Sequence, residues 1–405
     1  MSSKRLSFGL TLALLLVLSL GIVSPASAQD GRQVWAYYFG WYTGDSWGDG
    51  RLLDRPAAPY DSRDGGVISR QISEAQSAGI DAFIAAWYGP AGDNLTAQTF
   101  NALLDISAGM GFRAAASVDL GDPGFNATVG DTIGTLSYLI GDRANHPAYL
   151  RYNGKPVIYF WNQGRFSVAD WQNIRAQVDP NRNTIWVAEG TNTGYLRVFD
   201  GLYLFNTAWA ANPGSVATQW ARRAASAGGT FYTPTVLPGW DESALAAGRP
   251  NPTSPRARNN GQFLTSSWNG AVASGAGVIL IVSWNEYLEN SHIEPSQVYG
   301  AQSLDVLRPL VAAWESGSAP AAAGGAAAGS PTGIVYTIQS NVRLRNAPST
   351  GGAEITTVGA GTALDVIGRN GDNSWVQVNY GGQSGWMSSG FGSFTGDLNA
   401  APVTG

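Results

Sequence analysis

Apolar runs of strand length alternate with amphipathic stretches of helix length through most of the chain. Eight apolar runs predict strands, at residues 34–39, 81–87, 113–120, 156–161, 184–189, 202–206, 231–237 and 278–284. Helical periodicity predicts helices between them, at residues 66–78, 96–110, 131–143, 168–177, 215–227, 262–274 and 300–314, with a short element at 193–198. Strands that are apolar at nearly every position are typical of a parallel sheet covered by helices. The pattern therefore predicts an α/β fold, a (β/α)8 TIM barrel over residues 29–316.

A change of composition divides the chain after the predicted barrel. Residues 317–332 consist almost entirely of Ala, Gly, Pro and Ser, which is typical of a flexible linker. Residues 333–390 are rich in Val, Ile and Gly and have closely spaced turn signals, which predicts five or six short strands in a small all-β barrel. We assign residues 391–405 to a C-terminal tail.

Three segments of this second domain resemble the bacterial SH3-like domain. They are Asn341 to Pro348, Trp375 to Val378 and Gly385-Trp386-Met387. The resemblance implies a module that binds cell wall or another glycan, and a passive spacer is the alternative.

The N-terminus has the layout of an export signal. Lys4 and Arg5 precede an apolar run at residues 6–23, and Ala26-Ser27-Ala28 offers small side chains for cleavage. Residues 1–28 are therefore predicted to be a signal peptide, and the protein is predicted to be secreted or held at the cell surface. An uncleaved membrane anchor is the alternative, because the apolar run approaches the length that spans a bilayer.

Composition narrows the range of partners and cofactors. With 29 acidic against 24 basic residues the formal net charge is −5, so nucleic acid is not an expected partner. The chain has no cysteine and only two histidines, His146 and His292, so a zinc site would need several carboxylates. Asp45, Asp49 and Asp54 lie among glycines, which is more typical of a solvated loop than of a calcium site. We expect no metal and a monomeric protein.

Aromatic and polar side chains cluster where the predicted strands end. In a TIM barrel the active site lies at the C-terminal ends of the strands, on the loops that follow them. Asp119 can contact a sugar hydroxyl there, or else cap the turn through Gly121. Side chains at these ends that we expect to bind substrate are Tyr38, Trp41, Tyr42, Trp87, Tyr88, Asp119, Trp161, Asn206, Trp240 and Asp241.

The end of the eighth predicted strand carries two glutamates, Glu286 and Glu289, three residues apart. On a helical turn their Cβ atoms would lie about 5–6 Å apart, and a retaining glycosidase needs its two carboxyl groups about 5–5.5 Å apart. Two anions crowded among aromatic rings raise the pKa of one of them, which can then act as a general acid. We therefore predict a catalytic pair; the alternative is that both glutamates cap a helix or pair with arginines. Neighbouring residues that we expect to bind substrate are Trp284, Asn285, Tyr287, His292 and Glu294.

This segment resembles a known signature. Ser283 to Glu286, followed by Glu289 and Ile293-Glu294-Pro295, is similar to the Asn-Glu-Trp-x-Glu-Gly-Thr-x-Ile-Glu-Pro motif of glycoside hydrolase family 99. Further segments that support the resemblance are Tyr37 to Tyr42, His146-Pro147, Lys155 to Val157 and Leu237 to Asp241.

The resemblance implies a barrel that cleaves internal α-linked mannosides with retention and needs no metal or organic cofactor. By motif position, Glu286 would be the base that assists the 2-hydroxyl of the sugar, and Glu289 the acid that protonates the leaving oxygen. Tyr287 stands where the family has Trp, and Asn290-Ser291-His292 stands where it has Gly-Thr-Gln. The segment is also similar to fungal α-1,3-glucan hydrolases of family 71, so an α-glucan is an alternative to α-mannan.

Three functional classes remain open at this point. The favoured one is an endo-acting hydrolase of a polysaccharide or oligosaccharide. The second is a carbohydrate-binding barrel without turnover, and the third is a structural protein of the cell surface.

Overall fold

A computed structural model of the chain describes residues 31–90, 94–210, 213–249, 252–317, 332–380 and 383–404. The predicted signal peptide and nearly all of the predicted linker lie outside the described residues. Within these ranges, no helix combines the length and the apolar character that a membrane crossing requires.

Strands and helices alternate through the first domain. In chain order they are β1 (Gln33–Tyr38), α1 (Gly65–Ser77), β2 (Ala82–Trp87), α2 (Leu95–Met110), β3 (Arg113–Asp119), α3 (Val129–Gly141), β4 (Arg151–Tyr152), β5 (Lys155–Trp161), α4 (Val168–Val178), β6 (Ile185–Glu189), β7 (Gly201–Tyr203), α5 (Pro213–Ser226), β8 (Phe231–Thr233), β9 (Thr235–Val236), α6 (Gln262–Ala273), β10 (Val278–Ile281) and α7 (Gln302–Glu315). A short 3-10 helix, Thr193–Arg197, stands in the fifth helical position. Each predicted element therefore coincides with an observed one to within a few residues.

The strands form one parallel sheet that closes on itself. Its order is β8-β7-β6-β5-β3-β2-β1-β10-β9, with β4 added to β5 as a hairpin. Only Pro234, which has no N–H to donate, separates β8 from β9; β8 pairs with β7, and β9 pairs with β10. The two segments are thus one interrupted strand, the seventh of eight. The predicted (β/α)8 barrel is confirmed.

Strand β1 shows how the barrel fills both faces of its sheet. All six of its residues are buried, and successive side chains point to opposite faces. Trp35 meets Tyr159 and Phe231 of other strands inside the barrel, with ring centroids 6.2 and 6.0 Å away. Tyr38 points outward, where its hydroxyl donates to Gln71 of α1 at 3.0 Å.

Local signals in the sequence account for where the helices begin. The Asp64 side chain caps α1 by accepting from the backbone N–H of Gly66. Helices α3 and α4 begin with capping boxes, in which Thr128 pairs with Asp131 and Ser167 pairs with Asp170. These contacts satisfy N–H groups that the first turn of a helix leaves free.

The second domain is an antiparallel sheet with its own core. Its strands are β11 (Val335–Ile338), β12 (Val342–Arg345), β13 (Glu354–Val358), β14 (Ala363–Arg369), β15 (Trp375–Tyr380), β16 (Gln383–Ser388) and β17 (Gly392–Thr395), in the order β13-β12-β16-β15-β14-β11-β17. The predicted small all-β domain is confirmed. Its buried core, which includes Tyr336, Leu344 and Met387, shares no residue with the core of the barrel.

The sheet continues past residue 390, into residues 391–405, which the sequence predicts to be a C-terminal tail. Strand β17 pairs with β11, and Val403 forms a bridge to Arg369. A Cβ at Gly392 would lie 2.3 Å from the carbonyl oxygen of Thr337, so only glycine allows the two strands to approach this closely. The predicted boundary at residue 390 therefore divides this sheet.

Candidate active site

A cavity of about 280 Å³ opens at the C-terminal ends of the barrel strands. Its wall combines residues from the ends of β1, β2, β3, β5 and β7 with the loops that follow β9 and β10. The lining residues are Tyr37, Phe39, Trp41, Tyr88, Asp119, Gly121, Trp161, Phe205, Arg249, Glu286, Leu288 and Glu289.

Glu286 and Glu289 meet on this wall, and both are almost fully buried, with 5% and 8% of their surface exposed. They lie in a tight turn after β10 and not on the helical turn that the spacing suggested. The N–H of Asn290 donates to the carbonyl of Tyr287, and Asn290 has a φ of 51°. One oxygen of Glu286 accepts from the N–H of Leu288 at 3.0 Å.

The loop that carries the pair is fastened to the first strand. The Asn285 amide accepts from the N–H of Phe39 and donates to its carbonyl, both at 2.8 Å. The N–H of Trp284 donates to the carbonyl of Tyr37 at 2.7 Å. These contacts hold Glu286 in a fixed position relative to Phe39, which follows β1.

Arg249 is the cation on the described cavity wall. Its Nη2 lies 2.6 Å from an oxygen of Glu289, and its Nε lies 3.3 Å from Glu242. The Arg249 side chain is 42% exposed, whereas those of Glu289 and Glu242 are 11% and 4% exposed. The second oxygen of Glu289 is buried and has no hydrogen-bond partner among the described residues.

Burial dominates the electrostatics of the site. Burial, together with the nearby charge of Glu289, raises the pKa of Glu286 well above its usual range. Burial also raises the pKa of Glu289, while the guanidinium of Arg249 opposes that rise. Burial raises the pKa of Asp119 to about 6 and that of Glu189, at the end of β6, to about 7. Burial therefore favours the protonated forms of these carboxyl groups.

Aromatic rings form much of the wall around these carboxyl groups. Trp41 stacks on Tyr88 with ring centroids 6.4 Å apart, and Tyr88 stacks on Phe125 at 5.2 Å. On another side, Phe205 meets the edge of Trp161 at 4.9 Å. Such rings offer broad apolar surfaces beside acidic groups.

Comparison with known proteins assigns this arrangement to a family. The profile of glycosyl hydrolase family 99 matches residues 56–308, which is more than half of the chain. The chain belongs to glycosyl hydrolase family 99. The profile of the bacterial SH3 domain matches residues 340–393, within the second sheet.

Relatives of the family 99 domain come from animals and bacteria. The glycoprotein endo-alpha-1,2-mannosidase-like protein of Homo sapiens is 27% identical over 259 residues, which cover 58% of this chain and 55% of that protein. The glycoprotein endo-alpha-1,2-mannosidase of Xenopus laevis is 26% identical over 259 residues, which cover 58% and 56%. This chain thus spans about half the length of the curated relatives it matches.

A solved structure shares the fold. The GH99 endo-alpha-mannosidase from Bacteroides thetaiotaomicron aligns with 70% of this chain and 96% of its own, with a TM-score of 0.58 and 21% identity. The similarity supports the barrel architecture of the family 99 domain.

The structure brings six of the predicted site residues together on the cavity wall. They are Trp41, Tyr88, Asp119, Trp161, Glu286 and Glu289. Asp119 caps the turn, since its carboxylate accepts from the N–H of Gly121 at 2.7 Å, and it also lines the cavity, so contact with a sugar hydroxyl stays a prediction.

Three predicted substrate contacts, Tyr38, Trp87 and Trp284, lie instead between the sheet and the helices. Trp87 meets Phe100 of α2 at 6.0 Å, and Trp284 meets Phe83 at 5.2 Å. Each is at most 1% exposed. We correct their assignment. The strand positions of Tyr38 and Trp87 direct these rings away from the cavity, and Trp284, which follows β10, packs on Phe83 of β2.

Four further predicted contacts support the Glu286 turn from behind, and all are at most 1% exposed: Asn285, Tyr287, His292 and Glu294. The Tyr287 ring stacks on His292 with centroids 4.2 Å apart. His292 Nε2 lies 3.0 Å from a carboxylate oxygen of Asp54, and burial lowers the pKa of His292 to about 4. Asp54 is therefore paired with His292. The four predicted contacts support the turn and do not line the cavity.

The remaining four predicted contacts also lie off the described cavity wall. The hydroxyl of Tyr42 accepts from the N–H of Tyr287 at 3.3 Å, just behind the acidic pair. Asn206 donates to Thr253 at 3.0 Å. Trp240 is 2% exposed, and the Asp241 side chain accepts from the N–H of Ser243.

Sequence reasoning missed several residues of the wall, namely Tyr37, Phe39, Gly121, Phe205, Arg249 and Leu288. Tyr37 and Phe39 alternate with Tyr38 along β1, so the two-residue period of the strand contained the signal that places them inside. Phe205 follows Tyr203 in the same way. Arg249 lies in a long loop that has no such period.

The buried carboxyl groups predict how stability changes with pH. The pKa of Glu189 is raised in the folded protein, so its contribution to stability is complete below the unfolded value near 4.5 and is lost as the pH rises through about 7. Gln at position 189 cannot ionise, so Glu189→Gln removes this loss. The free energy of unfolding of the variant minus that of wild type should therefore be larger at pH 8 than at pH 5, by on the order of 1–2 kcal/mol. Urea unfolding of wild type and variant at both pH values measures this difference.

The matched control is Asp305→Asn, because that side chain is 65% exposed and should leave the pH dependence unchanged. Equal pH dependence in wild type and Glu189→Gln would contradict the prediction.

Proposed function

We propose that this chain is a secreted glycoside hydrolase that cleaves internal α-mannosidic bonds with retention of configuration. The observation that carries the proposal is the meeting of Glu286 and Glu289 on one aromatic-lined cavity wall of a family 99 domain. Relatives named endo-alpha-1,2-mannosidase support the choice of mannoside. Export rests on the predicted signal peptide in residues 1–28.

In the first step Glu286, as the base, takes the proton from the 2-hydroxyl of the sugar. The 2-oxygen attacks the anomeric carbon while the bond to the leaving sugar breaks, and Glu289 gives its proton to the departing oxygen. The substrate thus forms a three-membered ring from its own oxygen.

In the second step Glu289, now ionised, takes a proton from water as the water attacks the anomeric carbon. The ring opens, and the 2-oxygen recovers its proton from Glu286. Two inversions at one carbon give net retention, and both carboxyl groups return to their starting states.

The charges of the site require two additions to this scheme. Burial and the charge of Glu289 favour protonated Glu286, whereas the first step needs Glu286 ionised, so Glu289 must hold the proton while Glu286 acts as the base. The ion pair at 2.6 Å favours ionised Glu289, whereas the first step needs Glu289 protonated. Because Arg249 is partly exposed and also pairs with Glu242, we infer that it releases Glu289 when substrate enters. Burial then raises the pKa of Glu289 without opposition.

Tyr287 and His292, which depart from the family signature, do not favour a different sugar. Both are fully buried behind the turn and neither lines the cavity. The difference therefore concerns how the loop is supported, and α-mannoside remains the preferred substrate over α-glucan.

Replacing each glutamate by Gln tests the two roles. On an oligomannoside, Glu289→Gln and Glu286→Gln should each lower kcat/KM by roughly 10²–10⁴-fold, since each removes proton transfer from the reaction. A glycosyl fluoride, whose leaving group needs no proton, should restore the bond-breaking step in Glu289→Gln and not in Glu286→Gln. Product release and anomeric configuration are followed by NMR.

The control for both variants is Glu354→Gln in the second domain, which should retain full activity. Retention of activity by Glu289→Gln, or absence of hydrolysis of any α-mannan by wild type, would refute the proposal. The carbohydrate-binding alternative predicts binding without product in the wild type.

Arg249→Gln tests the proposed release. Removing the cation favours the protonated forms of both glutamates and so raises both pKa values. Both limbs of the pH profile of kcat/KM, which reports the free enzyme, should move to higher pH by roughly one unit, whereas the profile of kcat, which reports the complex that Arg249 has left, should not move. Arg51→Gln, which removes an exposed arginine paired with Asp49, is the matched control. An unmoved profile of kcat/KM, or a profile of kcat that moves together with it, contradicts the inference.

We extend the proposal to the second domain, which we infer holds the enzyme at cell-wall glycan. The match to the bacterial SH3 domain and the separate core support this. Inactive Glu289→Gln protein should co-sediment with purified bacterial cell walls, and the same protein ending at residue 317 should not. Equal sedimentation of the two would leave the domain as a spacer.

A further inference from the structure

Trp209 is an exposed indole at the same end of the barrel as the cavity. It lies in the segment between β7 and α5, and 55% of its surface is exposed. Among the described residues it is the one tryptophan with a largely exposed ring. The ring-contact geometry of the described chain gives it no aromatic neighbour, and it belongs to no core cluster.

The position of Trp209 is limited by the chain itself. It follows Phe205, a residue of the cavity wall, by four positions. Four residues span at most about 14 Å, so the Cα atom of Trp209 lies within that distance of the Cα atom of Phe205. Both residues follow β7 at the C-terminal end of the barrel, the end at which the cavity opens.

Hydrogen bonds fix the segment that presents the ring. The indole Nε1 donates to the carbonyl of Asn206 at 2.8 Å. Arg256 donates to the carbonyls of Ala208 and Ala210, at 2.6 and 3.1 Å, on either side of Trp209. The polar edge of the indole is thus satisfied by the protein, while its apolar surface remains in solvent. A ligand that stacks there would lose little free energy to ordering of the protein.

The size of this surface selects a class of ligand. An indole buries at most about 250 Å², far below the roughly 800 Å² per partner of a stable protein interface. One sugar ring has a flat apolar face of matching extent. Its hydroxyl rim would meet polar groups such as the side chain of Asn206, which is half-buried beside Thr253.

We propose that Trp209 is an outer sugar-binding platform, on which one ring of a longer glycan stacks after leaving the cavity. The inference rests on the proposed function, because cleavage of an internal bond requires the glycan to extend out of the site in both directions. Trp209 then contributes to the binding of long substrates and not to the chemistry at the bond that is cleaved.

The test compares substrates of different length. For Trp209→Ala, kcat/KM on a long α-mannan oligosaccharide should fall about 5- to 10-fold, mainly through KM, while the shortest substrate that wild type cleaves should be unaffected. Trp209→Phe, which keeps an aromatic face, should recover most of the loss. Val298→Ala, at a 63% exposed apolar residue of the barrel domain, is the matched control and should change neither value.

An equal fall on long and short substrates would indicate a structural role and overturn the proposal, as would no fall on either. If wild type cleaves no α-mannan, the proposed function fails, and the platform is judged by binding alone. Electrophoresis through gels that contain α-mannan or α-glucan then compares wild type with Trp209→Ala. Retardation that the substitution abolishes supports the platform; equal or absent retardation refutes it.

Discussion

The loop that carries Glu286 and Glu289 depends on one buried carboxylate, that of Glu294. It accepts hydrogen bonds from the hydroxyls of Tyr60 and Tyr287, both at 3.0 Å, and from the amide of Gln71 at 2.8 Å. A buried carboxyl group is costly unless donors surround it, and each of these donors would be left unsatisfied without it. Glu294 and its donors therefore need one another, which holds the loop in place. Tyr287 links Glu294 to the turn between the two acidic residues.

This anchoring explains why the acidic pair and the aromatic wall keep a common geometry. Asn285 binds both polar backbone groups of Phe39, and the Tyr60 hydroxyl that donates to Glu294 also accepts from Asn285. The ends of the first and eighth strands therefore move as one unit. Groups held in this way stabilise developing charge without first having to reorganise, which is the main electrostatic advantage of an enzyme site.

The hydrophobic pattern along the sequence predicted most of the fold, because each barrel strand is buried on both faces and the chain repeats that pattern eight times. The same reasoning located Glu286 and Glu289 from the end of the last strand. It failed for Tyr38 and Trp87 because an aromatic residue near a strand end was assumed to face the cavity, whereas alternation directs it outward. No pattern in the sequence identified Arg249 as a site residue, because only folding brings its loop to Glu289.

The burial of these acidic groups favours a chemical role for the site over a purely structural one. A barrel that needed only stability would gain from apolar residues here, because buried charge costs more than packing. Arg249 does pair with Glu289, as the structural alternative expected, but no arginine forms a salt bridge with Glu286 in the described chain. Glu286 and Asp119 are instead left among aromatic rings, where burial raises their pKa values. An arrangement that gives up stability at neutral pH in order to hold and release protons favours chemistry at this wall.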